Sequence, residues 1–265
     1  MATPELSFTL RKANEHILRY YPNAKDSNLL VETFLATYGI PPAKILLGNS
    51  VCSDDLNNIQ YPPSAKDMLG PFNLGGLNGF PFTGRTGMGA FSHHYPDRGV
   101  MLIFYGPHIG ISNNGDVGYI RRPGQTRLTT CCGAAQAALE KLEAYEIPQR
   151  VPVEPDYQQQ FIEQIFLRSE RRILDVQGRP RLVEATQVMY EAIHHQVNIL
   201  IGNTFDFECE TLFRFGGILI NPDEKQTAFI QLEHAIMNKV RADKTLAPDE
   251  TEDIKDKLMV AMDKY

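Results

Sequence analysis

Apolar residues recur at steps of three and four through LRKANEHILRYY and again through NLLVETFLATY. That is the period of an amphipathic helix, so two helices are expected within residues 5–40. Asp26 and Ser27 offer an N-cap for the second, and Gly39-Ile-Pro-Pro ends it. The period then shortens. KILLGNS reads as a strand over Ile45–Leu47 with Cys52 in the loop beyond it, and GVMLIFYG, Gly99–Gly106, is a nearly continuous apolar run, as in a strand buried on both faces. NNGDVGYIRR reads as a turn and a strand, and AAQAALEKLEAY after Gly133 is a helix by propensity, ended at Ile147-Pro148.

The second half predicts helices through YQQQFIEQIFLRSERRIL and LVEATQVMYEAIHHQV, then strand-like NILIGN and LFRFGGILINPD. Two charged amphipathic helices are expected near residues 226–242 and 249–264. No repeat interrupts this order. The pattern predicts one α/β domain over residues 1–265, its core at about 41–221, with helical extensions over 1–40 and 222–265.

Composition narrows the partners. With 43% apolar and 22% charged residues the chain is ordinary globular material, and a net charge of −6 supplies no basic field for nucleic acid. No stretch approaches the roughly 20 apolar residues that span a membrane. The first residues lack a signal-peptide run and carry Glu5 and Glu15, so a cytoplasmic protein is expected, although a mature organellar one would read alike. Four cysteines in such a chain are expected as thiols, available to a metal or to catalysis.

Glycines crowd the stretch from Gly70 to Gly133, in PFNLGGLNGFPFTGRTGMGAFSHH and GPHIGISNNGDVG. Such density fits a binding loop, or tight turns in a β-rich region. A phosphate cradle is excluded by the missing Gly-Lys-Ser/Thr ending. Cys52 follows one strand, His108 follows another, and Cys132 precedes a helix whose N-terminus favours a thiolate. In an α/β sheet these places converge on one crevice, and two thiolates with an imidazole suit zinc, with a fourth position open to water. Cys131 competes with Cys132, and His93 or His94 with His108; Asp54 could accept a hydrogen bond from bound water or close the site itself. A redox pair of Cys131 and Cys132 is a further alternative, while Cys209, His194 and His195 read as packing residues.

CSDD, FNLGGLNGFPFTGRTGMGAFSHHYPDRG, GPHIGIS and CCGAA, in that order, resemble the limiting-carbon-dioxide-inducible protein B/C family, a β-carbonic-anhydrase-like group also termed theta-class carbonic anhydrases; LFRFGGILIN resembles it more weakly. The resemblance implies a β-carbonic-anhydrase-like, mostly parallel sheet flanked by helices and a Zn2+ ion held by Cys52, His108 and Cys132. It favours Cys132 over Cys131, because Cys132 directly precedes Gly133. It also implies a homodimer and reversible hydration of carbon dioxide to bicarbonate, in a pocket lined by residues such as Phe82 and Phe91. Leu56 stands where β-class enzymes carry the arginine that pairs with Asp54, so Arg85 is the expected substitute. ISNNGDVGYIRRPGQTRL then forms an inserted hairpin between two ligands. An inactive homologue that binds carbon dioxide or bicarbonate, or acts as an assembly partner, is the alternative.

Overall fold

The computed structural model describes residues 14–57, 62–148, 154–204, 207, 209–225 and 227–264; the first part of the first expected helix, residues 5–13, lies outside them. Helix α1 covers residues 14–20. Strand β1 (Lys25–Asp26) leads into α2 (Ser27–Tyr38), whose N-terminus is capped by the Asp26 carboxylate on the N–H groups of Asn28 and Leu29. Gly39 ends it at φ 62° with its N–H on Leu35 O. Then come β2 (Ile45–Ser50), β3 (Leu69–Asn73), α3 (Gly84–Ser92), β4 (Val100–Tyr105), β5 (His108–Gly110), the short pair β6 (Tyr119–Ile120) and β7 (Thr129–Thr130), and α4 (Gly133–Glu143). The rest of the chain forms α5 (Tyr157–Arg168), α6 (Glu170–Leu174), α7 (Arg181–Gly202), β8 (Thr211–Asn221), β9 (Phe229–Val240), β10 (Leu246–Asp253) and α8 (Lys255–Met262). No helix among the described residues is long and apolar enough to cross a membrane.

The main sheet runs β1-β9-β8-β4-β2-β3, with β10 also on β9 and β5 also on β8. β3, β2, β4, β8 and β5 pair in parallel, whereas every pairing of β9 is antiparallel. Alternation along the strands feeds two cores. Leu46, Met101, Ile103 and Tyr105 face α3, α4, α5 and α7, while Ile45, Leu47, Leu102 and Phe104 face α2 and α8.

Two C-terminal expectations are corrected. Phe229–Val240 and Leu246–Asp253 are strands, and only Lys255–Met262 is helical, so residues 222–265 are not a helical extension. The register of β9 on β8 slips at Glu233, where Gly216 pairs with His234 and Gly217 with Leu232. This bulge keeps Ile230, Leu232, Ala235 and Met237 on one core, and its extra residue inserts a step of three into a period of two, which imitates a helix. NILIGN is the end of α7, not a strand; Val197, Leu200 and Ile201 continue that helix's buried stripe. The glycine-rich stretch is also not one loop: it contains β3 and α3.

Between β4 and β5 the chain breaks at Gly106-Pro107, and both strands lie on β8, Tyr105 opposite Gly216 and His108 opposite Leu219. Gly106 has φ 153°, and a Cβ there would lie 1.7 Å from Gly217 O. On the same face α7 meets the sheet through a polar patch. The Tyr105 hydroxyl lies 2.8 Å from His194 Nδ1 and the Tyr190 hydroxyl 2.6 Å from His234 Nδ1, both at hydrogen-bond distance, and the two imidazoles stack 3.9 Å apart. Burial, then the neighbouring His234 and Arg214, push His194 down to about 4, and burial also lowers His234.

Two measurements test this packing. In denaturant unfolding, Gly106→Ala should cost about 3 kcal/mol or more, because backbone must move, whereas Gly39→Ala, with nothing within 4 Å, should cost about 1 kcal/mol for its positive φ alone. Because the unfolded chain protonates histidine near 6.5 and folded His194 only near 4, the unfolded state binds more protons across that window. Stability should therefore fall as pH drops from about 6.5 to 4, by about 1 kcal/mol after discounting for the half-exposed ring, and His194→Asn should flatten that slope.

Candidate metal centre

The C-terminal ends of β2 and β4, the start of β5 and the start of α4 meet at one crevice. Cys52, two residues past β2, is 6% exposed; His108, first in β5, is 1% exposed; Cys132, the residue before α4, is 2% exposed. One ligand atom from each lies within 4.8 Å of the others, and the two sulfurs are 3.9 Å apart. The Asn78 N–H donates to Cys52 Sγ at 3.1 Å. Asn221, the last residue of β8, turns its side-chain oxygen to His108 Nδ1 at 2.9 Å, so Nδ1 carries a proton and Nε2 is the nitrogen left to meet a metal. That Nε2 is buried with no hydrogen-bond partner. An orphaned imidazole nitrogen beside two thiols is a donor set that fits a metal ion such as zinc.

Cys131 faces the other side of the imidazole, its sulfur 3.5 Å from Nδ1 and 3.6 Å from Asn221 Oδ1. It is fully buried. A second grouping, Asp54, His108 and Cys131, also falls within 4.8 Å, and its sulfur is the one 3.5 Å from the nitrogen that faces Asn221. The four cysteines are free thiols.

The hydrogen bond to the Cys132 sulfur and burial push the Cys52 thiol up. Burial alone would lower His108, yet the Cys131 and Cys52 sulfurs hold it well above its ordinary value. The Cys52 thiol and the His108 imidazole thus hold protons more firmly than in water, and a bound divalent cation would displace them.

Asp54 stands at the rim with its side chain 15% exposed, and the guanidinium on it belongs to Arg122. Arg122 Nη2 donates to both carboxylate oxygens, at 2.8 and 3.1 Å; Nη1 donates to Thr129 Oγ1 at 2.6 Å and Thr130 O at 3.1 Å. Its Nε reaches Asp55 Oδ1 at 3.4 Å, and Leu56 N–H donates to Asp54 Oδ1 at 3.2 Å. Burial would raise Asp54, but Asp55, His108, the Leu56 N–H and Arg122 together hold it below the usual carboxylate range.

Arg85, expected in this role, is exposed on α3. The correct partner comes from the inserted hairpin, which folds as β6 and β7 and returns to the crevice. His93 and His94 are exposed at the end of α3, where the His94 ring stacks on Phe72, and neither joins the cluster. Phe91 is buried against Phe72, and Phe82 packs on Phe80, Tyr157 and Phe161. Cys209 is buried, which raises its thiol to about 12.

Three positioning residues escape a reading of ligand types alone. Asn221 orients His108. Asp223, 3% exposed, accepts from Arg121 N–H at 2.7 Å and Asn113 N–H at 3.0 Å, tying the start of the insertion to the residue just past β6. Arg122 is the third. Their signals are the polar NPD that ends an apolar run and the paired arginines within the insertion.

The profile of the limiting CO2-inducible proteins B/C beta carbonic anhydrases matches residues 23–239. Among solved structures the chain is similar to PtLCIB4, a homolog of the limiting CO2-inducible protein LCIB, with a TM-score of 0.73 and 26% identity over 88% of this chain and 98% of that one. A mutant of the same protein gives 0.74 and 25% over 89% and 97%. LCIB itself gives 0.62 and 20% over 83% and 92%, a likeness of fold. No curated protein matches the chain.

The geometry separates the sulfurs by experiment. Elemental analysis of purified variants should show metal lost in Cys52→Ser and Cys132→Ser and kept in Cys131→Ser. Asn221→Ala should weaken metal affinity about 10- to 100-fold by freeing the imidazole to turn.

Proposed function

The chain belongs to the limiting CO2-inducible B/C family of β-carbonic-anhydrase-like proteins, and from that premise we propose that it is a zinc lyase, a carbonate dehydratase that interconverts carbon dioxide and bicarbonate. The observation that carries this reading is the buried Cys52–His108–Cys132 cluster, with its orphaned Nε2, beside a carboxylate gripped by Arg122. In this reading the three residues hold Zn2+. Bound zinc supplies Lewis acidity that makes a nucleophile of water near neutral pH.

The chain's own residues do the rest. Asp54, kept ionised, accepts a hydrogen bond from the attacking water and so aims its lone pair at the carbon of carbon dioxide. Arg122 occupies both oxygens of Asp54, which holds the carboxylate as an acceptor at the rim and opposes its entry as a further ligand. The same guanidinium offsets the negative charge of two thiolates, which otherwise blunts Lewis acidity. Hydration yields bicarbonate and one proton, and the proton passes to solvent at this rim. A homodimer active in carbon concentration is part of the proposal, carried by the family resemblance.

The approach of an Asp54 oxygen to His108 and Cys131 favours one competing reading. There Asp54 closes the site, and the protein binds carbon dioxide or bicarbonate without turnover.

Stopped-flow hydration of carbon dioxide by metal-loaded protein, from mildly acid to alkaline pH, decides between them. Activity should be abolished by a chelator and restored by zinc, and Arg122→Ala should lose about 100-fold in kcat while retaining its metal. Metal-loaded protein with no rate above background across that range would refute the enzyme reading and favour the closed site.

A further inference from the structure

Asn78 is the middle residue of the single 3-10 turn Leu77–Gly79, fully buried, with a left-handed backbone at φ 50° and ψ 23°. Its N–H is the one held on Cys52 Sγ at 3.1 Å. The turn is fixed from several sides. Ser50 Oγ, at the end of β2, donates to Gly79 O at 2.9 Å, and Gly79 lies so close to Gly106 O that a Cβ would clash. The Leu77 N–H donates to Gln158 Oε1 of α5 at 2.9 Å, and the turn packs on α4 as well. The elements around Asn78 are thus those that carry the ligands: β2 leads to Cys52, the crossing at Gly106 leads to His108, and α4 starts after Cys132.

The side-chain amide of Asn78, by contrast, has no partner: Oδ1 and Nδ2 are both buried without a hydrogen bond. Among the described residues only Asn57 shares that state, and of the two Asn78 is the one bonded to a ligand sulfur. An unpaired buried amide is costly. Glycine would suit the same left-handed turn without that cost, so the turn alone does not call for an amide. A partner from outside the chain removes the cost, and the crevice at Cys52 is where the proposed reaction places one.

We propose that the Asn78 side chain is a substrate-binding group of this site, with Nδ2 donating to an oxygen of carbon dioxide. As the oxygen of the attacking water bonds to carbon, one C=O π pair moves onto the carbon dioxide oxygen, and the water's proton leaves by the Asp54 rim. A fixed donor on that oxygen gains strength as its charge grows, and it keeps its hydrogen bond to the bicarbonate formed. The inference rests on the hydration reading and deepens it by naming the group that holds the substrate oxygen.

Two variants test it. Asn78→Gly keeps the turn and the N–H on Cys52 and removes only the amide; Asn78→Asp keeps the shape and exchanges the donor for an oxygen. Metal content, kcat for hydration and the binding of isotope-labelled bicarbonate to cobalt-substituted protein, read from the paramagnetic broadening of its carbon resonance, are measured for each. Both variants should keep their metal and bind bicarbonate about tenfold or more weakly, and Asn78→Gly should lose about 100-fold in kcat. Native-like binding and turnover in Asn78→Gly overturn the proposal. So does loss of metal from Asn78→Gly, since the residue would then act only by holding Cys52. A native protein that binds bicarbonate without turnover refutes the hydration reading alone, and the two variants should still bind bicarbonate more weakly than it does.

Discussion

The contact between Gly106 and Gly217 is the constraint on which the crevice depends. Two parallel strands can end and restart against the same neighbour only if the backbone crosses close to it, and a Cβ on Gly106 would lie 1.7 Å from Gly217 O. Gly106 N–H is held at the same time by Ser50 O, at the end of β2. From that crossing three positions follow. His108 enters opposite Leu219, Asn221 stands two residues further along β8 within reach of Nδ1, and Gly79 packs on Gly106 O so that its neighbour Asn78 meets Cys52 Sγ. None of the three is set by local propensity. All are consequences of register.

The inserted hairpin supplies what the strands cannot. A crevice built from two thiols and an imidazole has no cation of its own, and its carboxylate would be free to move inward. Asp223 ties the insert at Asn113 and Arg121, so the next residue, Arg122, is delivered to Asp54 with its Nη1 fixed by Thr129 and Thr130 and its Nε by Asp55. A side chain with four anchored contacts loses its entropy on folding, before any ligand arrives, which is the meaning of preorganisation here. β8 therefore positions both sides of the site, the imidazole through Asn221 and, just beyond its end, the arginine through Asp223.

Much of this architecture was legible from periodicity. The buried strand GVMLIFYG, the capped α2 and the helix after Gly133 follow from rules that act within one element. The errors arose where elements act on each other. β9 imitates a helix in sequence because the bulge at Glu233 breaks its alternation, and a bulge answers to its partner strand. Cys52, His108 and Cys132 could be singled out because ligand chemistry restricts residue type, and strand ends restrict place. Arg122 could not be, because any arginine near the crevice suits Asp54; distance in the fold selected it over Arg85.

The doubled cysteine shows how one step of chain can serve two ends. Cys131 still belongs to the extended backbone, its carbonyl accepting from Gly110 N–H and its N–H donating to Gly118 O. Cys132 already belongs to α4: its carbonyl accepts the N–H of Gln136, and its sulfur caps no helical N–H. Between them the chain passes from ladder to helix, so adjacent side chains leave in different directions. One sulfur packs against the orienting face of the imidazole, near Asn221, and the other joins Cys52 at the first turn of a helix, where the peptide dipoles favour a thiolate. Two adjacent thiols are thus neither redundant nor a redox pair by placement. Their division follows from where the helix begins, with Cys131 on the ladder side and Cys132 at its N-terminus.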